Sequence, residues 1–297
     1  MTESKSFNRT ATLLLTVMVV FAMMPILLIV IASFSSESSL IRNGYTYLPE
    51  ELSFDAYYYM VKQGVMIVRS YGVSFLVTFA GTAISVILTT MLAYPMSRKS
   101  FKYRNALAFF VFFTMLFNGG IVPSYIMWTK FFQIKNTIWA LIIPNLLLSA
   151  NNVLMIRSYF MTSIPEALYE AAKIDGAGHT KIFFQITFPL GKPILVTMGL
   201  FSALAYWNDW TNGLYYLSGN QGQKLYSIQN LLNQMITDIQ YLASGKVAGN
   251  IGAEVAKLPT TSIRMAIAFI AMLPLFIIYP FLQKYFAEGI TLGAVKG

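Results

Sequence analysis

Charge is what this sequence has least of. Acidic and basic residues together make up 11% of its 297 positions, where a soluble globular protein carries about 25%. So few polar side chains cannot coat a water-soluble body of this size, which excludes an ordinary cytosolic enzyme and a disordered chain. Cysteine is absent, which excludes disulfides, thiolate metal sites, iron–sulfur clusters and a cysteine nucleophile. The single histidine, His179, excludes a multi-histidine metal centre. What fills the chain is apolar: 56% hydrophobic residues and a mean hydropathy of +0.59. The composition defines an integral membrane protein. Its net charge of +9 is therefore read loop by loop and not as a nucleic-acid signal.

A bilayer-crossing helix needs about 20 mostly apolar residues. Charge-free runs cover Thr10–Ser36, Ser70–Ser97, Asn105–Thr129, Asn136–Ile156 and Met265–Gln283, and Pro193–Ser218 is broken only by Asp209. They predict an all-α protein with six transmembrane helices at about 11–34, 70–96, 106–128, 137–156, 193–217 and 264–283. No tandem repeat or linker marks a second unit, so residues 1–297 read as one transmembrane domain. The first run is too long for a signal-peptide core and reads as an uncleaved first helix. Basic residues set the orientation. Residues 1–10, 97–104, 157–192 and 284–297 carry 12 Lys or Arg in 68 positions, against 9 in 85 for 37–69, 130–135 and 219–264. The bias places both termini in the cytoplasm. It leaves two long outer loops, 37–69 with Tyr57-Tyr58-Tyr59 and 219–263 with an amphipathic helical stretch, Leu225–Leu242.

The inner loop 157–192 reads as two short helices. Ser163-Ile164-Pro165-Glu166 combines a capping-box pattern with an early proline, so a helix starts there and runs to Ile174. Glu166 and Glu170 share one face, beside Ala167 and Ala171. Asp175-Gly176-Ala177-Gly178 stops the helix, because glycine tolerates the left-handed conformation of a sharp reversal. A second helix, Thr180 to Thr187, displays Ile182, Phe183, Phe184 and Ile186, and Pro189 and Pro193 end it. Two readings of this pair stand on the residues alone: docking into a groove of another protein, or an amphipathic segment resting on lipid headgroups.

A resemblance separates them. Glu170-Ala171-Ala172, three residues, Gly176, nine residues and Ile186-Thr187-Phe188-Pro189 resembles the E-A-A-x3-G-x9-I-x-L-P motif of ABC-importer permeases, with Phe188 in place of the usual leucine. The run Phe286–Gly297 resembles the tail of the maltose-type second permease. With Trp207-Asn208-Asp209-Trp210, it is most similar to the polysaccharide-type (LplC-like) branch of carbohydrate permeases. The resemblance covers essentially the whole chain. It implies a maltose-permease-like fold in the bacterial cytoplasmic membrane and import of an oligosaccharide or polysaccharide fragment by alternating access. The implied partners are a second homologous permease, two ABC ATPase subunits and an extracytoplasmic solute-binding protein. It also implies that Glu166, Glu170, Ala171, Ala172, Asp175, Gly176, Ala177, Ile182, Phe183, Phe184, Ile186 and Pro189 couple this chain to the ATPase. The tail residues Gly293, Val295, Lys296 and Gly297 would reach the ATPase dimer. ATP and Mg would be bound by that partner, with no cofactor in this chain.

The chain lacks its own phosphate loop. Gly191-Lys192 and Gly245-Lys246 are followed by Pro and Val, which is not a G-x-x-x-x-G-K-[ST] pattern. Leu217-Ser218-Gly219-Asn220-Gln221 mimics an ABC signature by coincidence, since it falls on the outer side. Catalytic and metal-ligating residues are therefore not expected. For the substrate path, Asp209 is the single acid within a span, where polar groups are costly and face the bundle interior or water. Tyr206, Trp207, Asn208 and Trp210 surround it, and Asn118 and Asn145 are further candidates. The alternatives stay open: an interfacial aromatic belt with Asp209 as a cap, and Asn145 satisfying backbone opened by Pro144. His179 reads as a solvated loop residue. An importer for a non-sugar solute and an ion-coupled carrier remain as rival functions.

Overall fold

The computed structural model describes residues 5–62, 64–243 and 260–294. All regular structure among them is helical; the one β-contact is an isolated bridge between Ser35 and Leu52. The chain divides into two compact units, Met1–Val68 with Leu231–Ile277, and Arg69–Asn230 with Ile278–Gly297.

The first unit opens with α1 (Lys5–Ser33), whose apolar side chains from Leu13 to Phe21 stand exposed. Its end is fixed by aromatic packing: Phe34 stacks on Tyr57 with ring centroids 4.6 Å apart, and Ser33 Oγ lies 2.7 Å from the Tyr57 hydroxyl. Tyr57 belongs to α3 (Asp55–Lys62), and burial pushes its phenol above the ordinary value. Between them, α2 (Glu37–Asn43) is capped by Ser36, which accepts from the Ser39 amide. Glu37 also serves the long last helix, α15 (Thr260–Ala294): its carboxylate accepts from the Thr261 and Ser262 amides at 2.9 and 3.0 Å. A carboxylate at a helix start satisfies orphan N–H groups and complements the helix dipole. The predicted amphipathic stretch forms α14 (Ile228–Ala243), with Leu231, Leu232 and Met235 buried.

The second unit holds α4 (Gly64–Ser97) from Arg69 onward, α5 (Arg104–Leu116), α6 (Ile121–Phe131), α7 (Trp139–Ile142) and α8 (Ala150–Ser163). Then come α9 (Glu166–Ile174), α10 (His179–Leu190), α11 (Lys192–Asn208), α12 (Thr211–Tyr216) and α13 (Gly219–Gln223). Here the structure departs from six straight spans. Phe7–Ser33, Gly64–Ser97 and Thr260–Ile278 are long and apolar enough to cross a bilayer; α5 with α6, and α10 with α11, qualify only as pairs bent by 113° and 78°. The expected span 137–156 is not one helix. Proline lacks the N–H that would continue the ladder, and after Pro144 the backbone of Asn145 turns left-handed at φ 62. The expected span 193–217 likewise stops at Asn208, because Asp209 is extended at ψ 119.

Two apolar cores organise this unit. One joins Tyr94 and Met96 of α4, Ile156 and Phe160 of α8, and Ile194 and Met198 of α11, with Tyr169, Ile182 and Phe183 from α9 and α10. The other joins Val77, Leu141, Ile142, Tyr206 and Leu217. Between α4 and α11 the approach is close: a Cβ at Gly81 would stand 2.6 Å from the Tyr206 ring. Small residues at such seams let apolar helices approach. Along α4, the hydroxyls of Thr78, Thr82, Ser85 and Thr89 are buried without hydrogen-bond partners.

Candidate coupling element and polar path

The E-A-A segment folds as a helix, a reversal and a second helix. α9 ends in a Schellman motif: the Gly176 amide donates to Lys173 O at 3.0 Å, and the Ala177 amide to Ala172 O at 2.9 Å. Gly176 stands at φ 74, the left-handed conformation that its lack of Cβ permits. At the start of α9 the structure corrects the expectation. Pro165 occupies the N-cap position and no side chain caps the helix, so the capping-box pattern at Ser163 is not used. Pro189 does not end α10 either. The preceding turn widens, with the Phe188 amide reaching back five residues to Phe183 O. Such a π-turn makes room for the proline ring. The bend follows at Gly191, where a Cβ would meet Phe160 at 2.6 Å.

Burial sorts the expected coupling residues. Glu170, Ala171, Asp175, Gly176, Phe184 and Pro189 are exposed, and Glu166, Ala172, Ala177 and Ile186 are half-buried. Ile182 and Phe183 are not displayed as expected; they are buried in this chain's own core, the former at 1% exposure, leaving Phe184 as the exposed aromatic. Ile174 and Leu168 extend that apolar surface. Of the tail, Gly293 lies in α15, while Val295, Lys296 and Gly297 lie outside the described residues.

The anchor of the element is a residue the motif does not mark. Tyr169 is 1% exposed, its hydroxyl lies 3.3 Å from Thr187 Oγ1 on α10, and the Arg98 guanidinium lies 3.4 Å over its ring. Arg98 Nη1 approaches Glu166 Oε2 at 3.8 Å, and its Nε donates to Ser97 Oγ at 3.2 Å. A desolvated cation over an aromatic face is worth about 2 kcal/mol. Burial raises the Tyr169 phenol pKa, so the ring stays neutral. Nearby, Arg157 Nε donates to Met96 O at 3.0 Å. Two arginines that count toward orientation in the sequence therefore hold α8 and α9 against the end of α4. A tyrosine three positions after the predicted helix start, about 100° around the helix from Glu170, was the available signal.

The polar path is built around the break in 137–156. Tyr206 Oη donates to Ile142 O at 2.9 Å, and Asn212 Nδ2 donates to Pro144 O at 2.9 Å. Asn212, which the sequence reading missed, thus satisfies a carbonyl at the proline; Asn145, for which that role was one alternative, is itself exposed. Ser218 N–H donates to Asn136 Oδ1 at 2.7 Å, closing the same seam. Asp209 Oδ1 accepts from the hydroxyl and amide of Thr211, at 2.7 and 3.1 Å, which makes it the acceptor at the start of α12. Asn230 Nδ2 donates to Trp210 O, close against Gly213. Asn118 Oδ1 accepts from Gly120 N at 2.8 Å within the α5–α6 bend. Trp207 packs on Phe75 with centroids 5.3 Å apart, and its Nε1 is buried without an acceptor. Asn208 and Trp210 are exposed.

A helical, multi-pass membrane protein with an exposed helix–reversal–helix element locked to its core is the class these features define. Residues 1–292 match the family described as binding-protein-dependent transport system inner membrane component, and the chain belongs to that family. It is similar to Protein LplC of Bacillus subtilis (strain 168), 36% identical over 276 residues that cover 92% of this chain and 89% of that protein. It is equally similar to the polygalacturonan/rhamnogalacturonan transport system permease protein YtcP of the same strain, at 36% identity and 92% of each chain. A chain from the crystal structure of a bacterial ABC transporter involved in the import of the acidic polysaccharide alginate superposes with a TM-score of 0.77. That chain is 27% identical, over 96% of this chain and 99% of the other. The protein is thus a membrane transport subunit of the permease type, not an enzyme.

Proposed function

We propose that this chain is the permease subunit of an ATP-driven importer that carries an oligosaccharide or polysaccharide fragment into the cytoplasm by alternating access. The observation that carries the reading is the α9–α10 element: Glu170, Ala171 and Gly176 are exposed on a rigid reversal that Tyr169 and Arg98 fix to the core. Such a surface suits a cleft of a partner ATPase, with glutamates for its basic groups and alanines for close approach. In this reading six crossings put both termini and the element in the cytoplasm, and the ATPases bind ATP and Mg. A solute-binding protein docks on the outer loops 37–69 and 219–263, and a second, homologous permease completes the pathway. The carbohydrate assignment rests on YtcP and the structural neighbour, whose names concern polysaccharides. Acidic glycan fragments are therefore the first cargo to test. The exposed Trp210 face and Asn208 are open to sugar hydroxyls, whereas Trp207 is buried and Tyr206 and Asp209 are engaged in hydrogen bonds within this chain.

The test is purification from native membranes in mild detergent with a tag on the N-terminus. An ATPase and a second permease co-purifying support the proposal. A chain that emerges alone and transports in ATP-free vesicles under an ion gradient overturns it. Within that complex, Gly176→Asp is expected to uncouple ATP hydrolysis from uptake while the protein stays folded; normal uptake by the variant would remove the coupling role.

A further inference from the structure

A pocket of about 480 Å³ lies among the last turns of α4, the turn that follows it and the α9–α10 junction. Sites for small ligands fall in the same range of volume. Met91, Tyr94 and Phe101 give it an apolar side, and Arg98, Lys173 and His179 give it a basic side, with no carboxylate in the lining. Arg98 is the telling member. It is 6% exposed, and its Nη1 is buried and donates to no acceptor, since Glu166 at 3.8 Å is beyond hydrogen-bond reach. Buried guanidinium donors are ordinarily satisfied; Nη1 has only the Glu166 carboxylate at ion-pair distance, so the charge of Arg98 is incompletely compensated where the residue lines the pocket. The neighbouring Lys173 and His179 are exposed and add cationic or donor groups on the open side. The lining runs from an apolar helix end to a basic turn, the junction at which a membrane protein meets lipid headgroups.

We propose that this pocket binds a phosphate oxyanion, held by Arg98, Lys173 and His179. The apolar side suits the glycerol and first methylenes of an anionic phospholipid. A planar guanidinium with an ammonium beside it matches a tetrahedral oxyanion better than it matches a neutral headgroup. An occupant would tie the start of α10 to the end of α4, bracing the reversal at Gly176. The site depends on membrane residence and not on which solute is carried.

The full chain, purified with its co-purifying subunits, is examined by native mass spectrometry with phosphatidylglycerol and phosphatidylcholine of identical acyl chains. Phosphatidylglycerol is expected to be retained about tenfold better, and Lys173→Gln to reduce its retention about fivefold. Lys99→Gln removes an exposed charge from the same basic turn but not from the pocket lining, and is expected to change little. Retention that millimolar inorganic phosphate leaves intact assigns the site to lipid. Displacement by phosphate, with thermal stabilisation that Lys173→Gln removes, assigns it to a soluble phosphate; both outcomes uphold an anion site. Equal retention of the two lipids with no phosphate response, or equal losses from Lys173→Gln and Lys99→Gln, overturns it. Arg98 is left unchanged throughout because it also holds Tyr169.

Discussion

Two interruptions of the helical backbone bracket α8 and α9, and they are repaired in opposite ways. At the α9–α10 reversal the open carbonyls of Ala172 and Lys173 are met by amides three to five residues away in the same turn. At the break after α7, the carbonyls of Ile142 and Pro144 are met by side chains 64 and 68 positions downstream, those of Tyr206 and Asn212. The reversal is exposed, so water can serve whatever the local motif leaves open. The break sits in an apolar part of the chain, where an unmet backbone group costs several kcal/mol and only another protein segment can meet it. Local repair needs a glycine; remote repair needs a partner at a distance that no short motif encodes.

The sharpest way to break this contrast is to remove the anchor under the local element. Tyr169→Ala leaves the Schellman turn intact but empties a core position, and is expected to cost about 3–5 kcal/mol, read by unfolding in detergent. A loss below about 1 kcal/mol would show the reversal to be self-sufficient. Asn212→Ala tests the remote repair. It strands Pro144 O and is expected to cost about 1–3 kcal/mol. Asn145→Gly, which tolerates the left-handed φ 62 at that position, should stay within about 0.5 kcal/mol, and a reversal of that order would give the carbonyl to Asn145. Gly176→Ala adds a Cβ to a residue at φ 74 with nothing within 4 Å of it, so the cost is backbone strain alone, about 1–2 kcal/mol. The smallest change is Ser163→Ala, expected to fall within about 0.5 kcal/mol because no side chain caps α9; a loss near 1 kcal/mol would restore the capping box.

Legibility follows the same divide. The bounds of α9 agree with the predicted 166–174, and the helical stretch at Leu225–Leu242 appears as α14, because each is set by side chains within one or two turns. The run 137–156 is as charge-free as a straight span, yet it breaks at Pro144. Hydropathy alone cannot distinguish the two, since the break is affordable only where Tyr206 and Asn212 stand ready to bond it. Arg98 shows the converse limit. Its charge counts toward orientation in the sequence, and nothing around it announces a tyrosine 71 positions later beneath its guanidinium. The aromatic cluster at 206–210 was visible as a group. Its division into a structural tyrosine, a capping aspartate and an unsatisfied tryptophan was not.

Composition by itself determined that the chain resides in a membrane, because 11% charge cannot hydrate its surface. The spacing from Glu170 to Pro189 determined where an exposed reversal would stand, because a glycine-terminated helix is specified by its own neighbours. Only the tertiary structure decided which apolar runs stay straight, which polar side chains mend the broken ones, and which of the displayed aromatics turn inward. Those choices depend on hydrogen bonds and packing between residues far apart in sequence, and in an apolar environment each must be met by a specific partner.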